Sequence, residues 1–360
     1  MKKLLLFIFP IIFIVFLVIY LTPIFSKTPK ISYDFGSVLP QKIKSDLGRT
    51  NILVFGVDAR AKKYVQTGNL TDSIILLSVD FSKKDVKMLS IPRDTWVVGN
   101  EFKSKINEIY ALQGIDIFKN SVENLLDVKI HYYVKVNFDA FEKIVDSVGG
   151  VEFNNTSVFT DIHYPKFGFE NETCGIDIKK LEEEKAKKGE TLNDYDFPCR
   201  YETISFKEGI IQLDGVTALK YARSRHSGNN GEGSDFARAR RQQTIILALK
   251  DKIIKNQLYL NLDKIKEIYN ILSSSIETDI KLTDSYEFFK YIPDINKFSI
   301  LGKVLSNEKE YENGGILMQG LNSNYGGRYV LIEKTPGVIK SFSNEFIYST
   351  KIDSVTVPKP

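Results

Sequence analysis

The sequence predicts an α/β protein: a three-layer α/β/α sandwich with a mixed central sheet, preceded by one N-terminal transmembrane helix. Three observations carry this. Near-continuous apolar runs at 51–58, 72–80 and 86–91 have the length of strands buried on both faces. Helical patterns interleave with these runs and follow them, which predicts helices packed on a sheet. Ahead of both, residues 4–25 carry no charge. The chain has 360 residues, 43% hydrophobic and 26% charged, which excludes wholesale disorder, a collagen-like fibre and a coiled-coil rod.

The N-terminal run follows Lys2 and Lys3 and ends Tyr20-Leu21-Thr22-Pro23-Ile24-Phe25. At ~1.5 Å per residue it reaches roughly 33 Å, enough to cross the hydrocarbon core. A cleavable signal peptide is the rival reading, but the run is long and lacks small residues at its end. Lys27 and Lys30 oppose Lys2 and Lys3 in setting orientation. A long following domain translocates largely regardless of such charges, so the N-terminus is expected inside and the domain outside. Residues 1–25 are thus read as cytoplasmic tip and anchor. Residues 26–48, with Pro29, Gly36 and Pro40, are read as a stalk.

A core domain is expected over 49–255. After its three strands come helical stretches at 106–112 and 117–126, a strand at 132–136, and a helix at 138–148 closed by Gly149-Gly150. Residues 154–203 interrupt the rhythm as a polar insertion holding both cysteines, Cys174 and Cys199, and a charge run at 179–190. The run reads as a solvated helix or loop. The cysteines are candidates for a staple, but two are too few for a disulfide-built fold. The pattern resumes with a strand at 203–206 and helices at 214–223 and 236–255. Residues 256–360 are read as a helical and mixed extension packing on or following the core domain.

A formal charge of +4 is too mild to argue for nucleic acid. Three His with no HExxH and no paired CxxC make a zinc centre improbable. The distribution of Arg says more. Ten of the 49 basic residues are Arg, and five of those ten lie in 223–241, a stretch with no Lys between Lys220 and Lys250. Arg223 and Arg225 precede a Gly/Asn-rich loop. Arg238, Arg241, Gln242 and Ile245 then share a helix face that Ser234 or Asp235 can cap. Guanidinium forks gathered so suit a pyrophosphate, although a solvated basic helix or a nucleic-acid patch gives the same pattern. Arg93 follows Pro92 at the end of the third run, aimed away from the sheet. Asp58 and Arg60 end the first run, and Asp72 starts the second. If those strands are antiparallel neighbours, the two Asp share an edge and suit a hard cation, with loop ion pairs or turn caps as the alternative.

In order, Gly56-Val57-Asp58-Ala59-Arg60, Thr71-Asp72-Ser73, Ser90-Ile91-Pro92-Arg93-Asp94-Thr95, Lys105-Ile106-Asn107, Gly149-Gly150-Val151, Tyr221-Ala222-Arg223-Ser224-Arg225 and Ser234-Asp235-Phe236-Ala237-Arg238-Ala239-Arg240-Arg241-Gln242 stand in the chain. Together they closely resemble the LytR-CpsA-Psr family of cell-envelope proteins, over about residues 49–255. The resemblance implies a membrane-anchored phosphotransferase outside the cell. Its expected partners are a polyprenyl-pyrophosphate-linked glycan such as teichoic acid or capsular polysaccharide, a peptidoglycan acceptor and the bilayer, with no nucleic acid. It implies Mg2+, with Mn2+ possible, on Asp58 and Asp72, and pyrophosphate contacts from Arg60, Arg93, Arg223, Arg225, Arg238 and Gln242. Arg241 matches the same signature. Arg93, Arg238 and Asp72 are expected to carry catalysis, and Asp58, Asp72 and Asp94 are the candidate proton acceptors. Lys105 and Asn107 match a motif to which the sequence assigns no chemistry. The long insertion and the Gly/Asn-rich loop depart from the family pattern. A pyrophosphatase using water, or a lipid-binding scaffold or regulator, are the other readings.

Overall fold

A computed structural model describes residues 42–57, 70–99, 102–228, 231–256 and, with gaps, 258–349. The expected anchor lies outside these residues, as do most of the stalk, Asp58 and Arg60. Among the described residues no helix is long and apolar enough to cross a membrane.

The core is a six-stranded mixed sheet. Its strands are β1 (Thr50–Val57), β2 (Thr71–Asp80), β3 (Asp85–Ser90), β6 (Tyr132–Asn137), β11 (Ile276–Thr278) and β12 (Ser299–Val304), in the order β11-β6-β1-β2-β3-β12. The short pair β4 (Trp96–Val98) and β5 (Lys103–Lys105) lies outside it. β1 runs parallel to β6 and antiparallel to β2, and β3 runs parallel to β12. Side chains alternate through the sheet, so each face has its own apolar cluster. Leu53, Phe55, Leu76 and Leu89 pack with Ile109, Phe118 and Val122 of α1 (Ile106–Leu126). Ile52, Ile75, Leu77 and Val134 pack against α2 (Phe138–Ser147) and the helices that follow the insertion. The two predicted helices at 106–112 and 117–126 both lie within α1, on either side of a break at Gly114, whose φ of 80° only glycine adopts without strain.

The insertion is ordered. After β7 (Val151–Asn155), β8 (Phe159–Pro165) pairs with β9 (Tyr201–Phe206), and Cys174 is disulfide-bonded to Cys199. Between them α3 (Ile178–Lys187) buries none of its residues, as a charge run predicts. Phe159 and Phe206 meet Tyr221 at ring separations of 5.8 and 5.0 Å, which fixes the hairpin to the body. β10 (Gly209–Leu213) returns beside β7 and leads into α4 (Gly215–Arg223). α5 (Asp235–Lys255) follows, capped by Ser234, whose hydroxyl accepts from the Ala237 N–H at 3.1 Å.

A boundary at residue 255 does not divide this fold. After α6 (Leu262–Ser273), β11 hydrogen-bonds to β6 and β12 to β3, so the extension supplies both described edges of the sheet. Strand pairing across such separations leaves no local trace in sequence. The small sheet of β13 (Leu317–Gln319) and β14 (Leu331–Glu333) and the helix α7 (Val338–Tyr348) complete the α1 side.

Candidate functional site

Where the sheet ends, Val57 of β1 lies opposite Thr71 of β2. That register places Asp72 at the carboxyl end of the parallel pair β1–β6, where α/β sheets hold their ligands. Arg93 leaves the end of β3 through Pro92, and its Nη1 donates to Asp72 Oδ1 at 2.6 Å. Two backbone links fix the Arg93 turn: the Asn107 N–H donates to its carbonyl at 3.2 Å, and Thr95 donates back to Pro92 O. Lys105 Nζ donates to Asp94 Oδ1 at 2.7 Å. The Lys105–Asn107 motif thereby gains a role, bracing the segment that aims Arg93.

Arg238 on the first turn of α5 reaches the Asp72 carbonyl with Nη2 at 3.5 Å and Asp235 Oδ1 with Nη1 at 3.1 Å. Arg225 Nε stands 3.2 Å from the same Asp235 oxygen. Arg223, at the C-terminus of α4, lies 4.3 Å above the Phe138 ring. Gln242, one turn beyond Arg238, accepts from Ser73 Oγ at 3.0 Å and donates to the Ala222 carbonyl at 3.4 Å. Asp72, Arg93, Arg223, Arg225, Arg238 and Gln242 line one pocket, together with Phe138, Tyr164, Pro165 and His226. The fold thus brings together six predicted residues from four separate stretches of chain.

The electrostatics are those of an anion site. Burial pushes the Asp72 carboxyl up, but Arg93, Arg238 and Arg223 outweigh it and hold the group below the usual carboxylate range, so it is ionised at neutral pH. Burial, aided by Arg225 and Arg93 and opposed by Asp235 and Asp72, lowers Arg238 to about 10, still a cation. Arg93 Nε is buried with no hydrogen-bond partner among the described residues and faces the carboxylates of Asp94 at 3.7 Å and Asp235 at 4.0 Å. Four guanidinium groups against the carboxylates of Asp72 and Asp235 leave the pocket net positive.

The LytR_cpsA_psr family model matches residues 22–326. The chain belongs to the LytR_cpsA_psr family. It is 28% identical over 239 residues to the polyisoprenyl-teichoic acid–peptidoglycan teichoic acid transferase TagU of Bacillus licheniformis, covering 66% of this chain and 62% of TagU. It is 34% identical over 238 residues to the transferase TagV of Bacillus subtilis, covering 65% of this chain and 50% of TagV. The chain therefore spans less than two thirds of the length of these relatives. The B. subtilis TagV crystal structure is similar at a TM-score of 0.55 and 26% identity, covering 86% of this chain and all of that one. A structure of TagT bound to LI-WTA, at 21% identity and a TM-score of 0.53 over 85% of this chain and 93% of that one, shares the fold.

Arg241, which carries the same family signature, is not in the pocket. It is 1% exposed, with Nε on the Tyr221 carbonyl, Nη2 on the Ser224 carbonyl and Nη1 on Glu232. The i, i+3 spacing from Arg238 predicts a shared face, but the end of α4 packs against that position and turns Arg241 into a clamp. The donor set fits a hard cation in part. Asp72 offers an ionised carboxylate, and Mg2+ needs only one or two carboxylates when phosphate oxygens complete its shell. Among the described residues no cluster of three His, Cys, Asp or Glu is placed to hold a metal.

Several site residues escaped sequence reasoning. Phe138 follows the carboxyl end of β6, so strand topology could have found it. Tyr164 and Pro165 come from the insertion, where no local signal existed. Asp161, also in the insertion and fully buried, accepts from Ser224 Oγ at 2.7 Å and from the N–H groups of Arg225 and His226 at 3.1 Å. It fixes the backbone that presents Arg223 and Arg225.

Proposed function

We propose that this protein is a membrane-anchored phosphotransferase that moves a glycopolymer from a polyprenyl-pyrophosphate carrier to peptidoglycan, its catalytic domain on the extracytoplasmic side. One observation carries the reading: four Arg from three segments converge with an ionised Asp72 on a single pocket at the sheet's carboxyl edge. The names of the TagU and TagV relatives, and the uncharged run at 4–25, support it.

In this reading Arg93, Arg223, Arg225 and Arg238 bind the pyrophosphate oxygens, joined by Arg60 from the β1 end, and Gln242 orients Arg238's helix turn against β2. Mg2+ or Mn2+ on Asp72 and Asp58 would neutralise phosphate charge when bound. The acceptor hydroxyl attacks the phosphorus nearest the glycan, a new P–O bond forms, the bridging P–O bond breaks and polyprenyl phosphate leaves. The hydroxyl proton passes to a carboxylate of the site: Asp72, which lines the pocket, or Asp94 or Asp235, which stand behind Arg93. Arg93 and Arg238, held in place before substrate arrives, stabilise the charge that grows on the leaving phosphate.

Transfer of radiolabelled glycan to peptidoglycan by Arg93→Ala and Arg238→Ala tests the proposal. Each variant is expected to lose about 10²- to 10³-fold in rate. Near wild-type transfer by both folded variants would sink it. Product analysis separates transfer from hydrolysis: a peptidoglycan-linked phosphodiester against free glycan phosphate.

A further inference from the structure

The insertion carries a row of rings beside the pocket that pyrophosphate chemistry does not use. His163 on β8 stands edge-on to Tyr195 at 4.7 Å and to Tyr201 at 5.6 Å. Tyr195 stacks on Tyr201 at 5.7 Å with planes 26° apart. At the near end Tyr195 meets His226 edge-on at 6.3 Å, and His226 is a wall of the pocket. These rings are not the hairpin's own core. That core is Phe159, Phe206 and Phe197, all buried, whereas Tyr195 is 53% exposed.

The surroundings describe the ligand. An aromatic face is electron-rich and attracts the polarised C–H bonds that a pyranose presents on its flat side. One charged pair flanks the rings: Arg200 with Asp194 at 3.1 Å. Stacking faces rimmed by hydrogen-bonding charges suit a sugar, whose hydroxyls point outward around its apolar face. A lipid or an apolar peptide would leave those charges unused. Cys199 lies in the chain between Tyr195 and Tyr201, and its bond to Cys174 ties down the segment that bears both rings. Rings ordered in advance lose less entropy on binding.

We propose that His163, Tyr195 and Tyr201 form a subsite for the sugar units of the donor glycan nearest the pyrophosphate. The inference rests on the phosphotransferase reading. The occupant follows from connectivity: the glycan is bonded to the outer phosphate, so its first sugars lie within a few bonds of Arg225 and His226, where the row begins.

Binding of two lipids to the full chain in detergent micelles tests this: bare polyprenyl pyrophosphate, and the same lipid carrying chitotetraose. Tyr195→Ala is expected to weaken the chitotetraose lipid about tenfold and leave the bare lipid unchanged. Tyr195→Phe, which keeps the ring, retains wild-type affinity for both. Arg238→Ala weakens both. If Tyr195→Ala binds the chitotetraose lipid like wild type, the subsite is overturned while the pyrophosphate site stands. If the variant instead loses only affinity for soluble peptidoglycan fragments, the rings serve the acceptor and the proposal as stated is overturned. A wild-type protein that binds neither lipid overturns the underlying phosphotransferase reading.

Discussion

At the scale of single residues, Asp161 and Arg241 hold the site without touching its ligand space. The Asp161 carboxyl is pushed up by burial but drawn further down by Ser224 Oγ and the N–H groups of His226, His163 and Arg225, to a net position below its ordinary value. A carboxyl lowered in the folded state stabilises above its unfolded value and loses that contribution as pH falls through the folded one. Denaturant titrations at pH 7 and pH 3 are therefore expected to show a stability drop that Asp161→Asn blunts, with the variant about 2 kcal/mol weaker at pH 7. Arg241→Ala removes three anchors at once and leaves Glu232 without its partner. Its expected cost is about 3 kcal/mol of unfolding free energy, read as a lower Tm, with the pocket arginines still present. The Arg signature at 238–242 was legible in the sequence, but which guanidinium faces ligand and which faces protein was not. That depends on α4 lying across one side of α5.

At the scale of elements, the site depends on where α4 starts and ends. Gly215 opens α4 against α2, where an added Cβ would stand 2.2 Å from the Glu142 carbonyl oxygen. Gly215→Ala is expected to push α4 off α2, destabilise the fold by about 2 kcal/mol and move Arg223. Chemical denaturation and a weakened affinity for polyprenyl pyrophosphate would report both effects. An unchanged variant in both assays would show that the close approach is not needed. Caps and strand lengths in this region were readable locally, since Ser234 and the apolar runs act over a few residues. The insertion was readable only as polar. Its hairpin, and the delivery of Tyr164 and Pro165 to the pocket, come from β8–β9 pairing across a 35-residue gap.

At the scale of the molecule, the sheet closes only with residues beyond 255. β12 shields β3, and Gln243 of α5 donates to Ser90 Oγ at 2.8 Å and to the Lys303 carbonyl at 3.2 Å, tying the Arg-bearing helix to both strands. A chain ended at residue 255 leaves β3 and β6 as bare edges and is expected to be aggregation-prone, with a loss of cooperative thermal unfolding. Circular dichroism and sedimentation of the chain with and without 256–349 check this. A soluble truncated form that melts cooperatively near the full-length Tm would contradict it.

The sequence by itself determined the α/β class, the order of the central elements and the six pocket residues Asp72, Arg93, Arg223, Arg225, Arg238 and Gln242. The class and element order rest on local information, strand-length apolar runs and helical patterns, whereas the six residues rest on Arg placement together with the resemblance of their motifs to the family. Only the tertiary structure decided that Arg241 is a buried clamp, that Asp161 braces the Arg223–His226 segment, that an insertion walls the pocket with rings, and that the C-terminal hundred residues finish the sheet. Those outcomes come from pairings between distant segments, whose free energy belongs to contacts that no window of sequence contains.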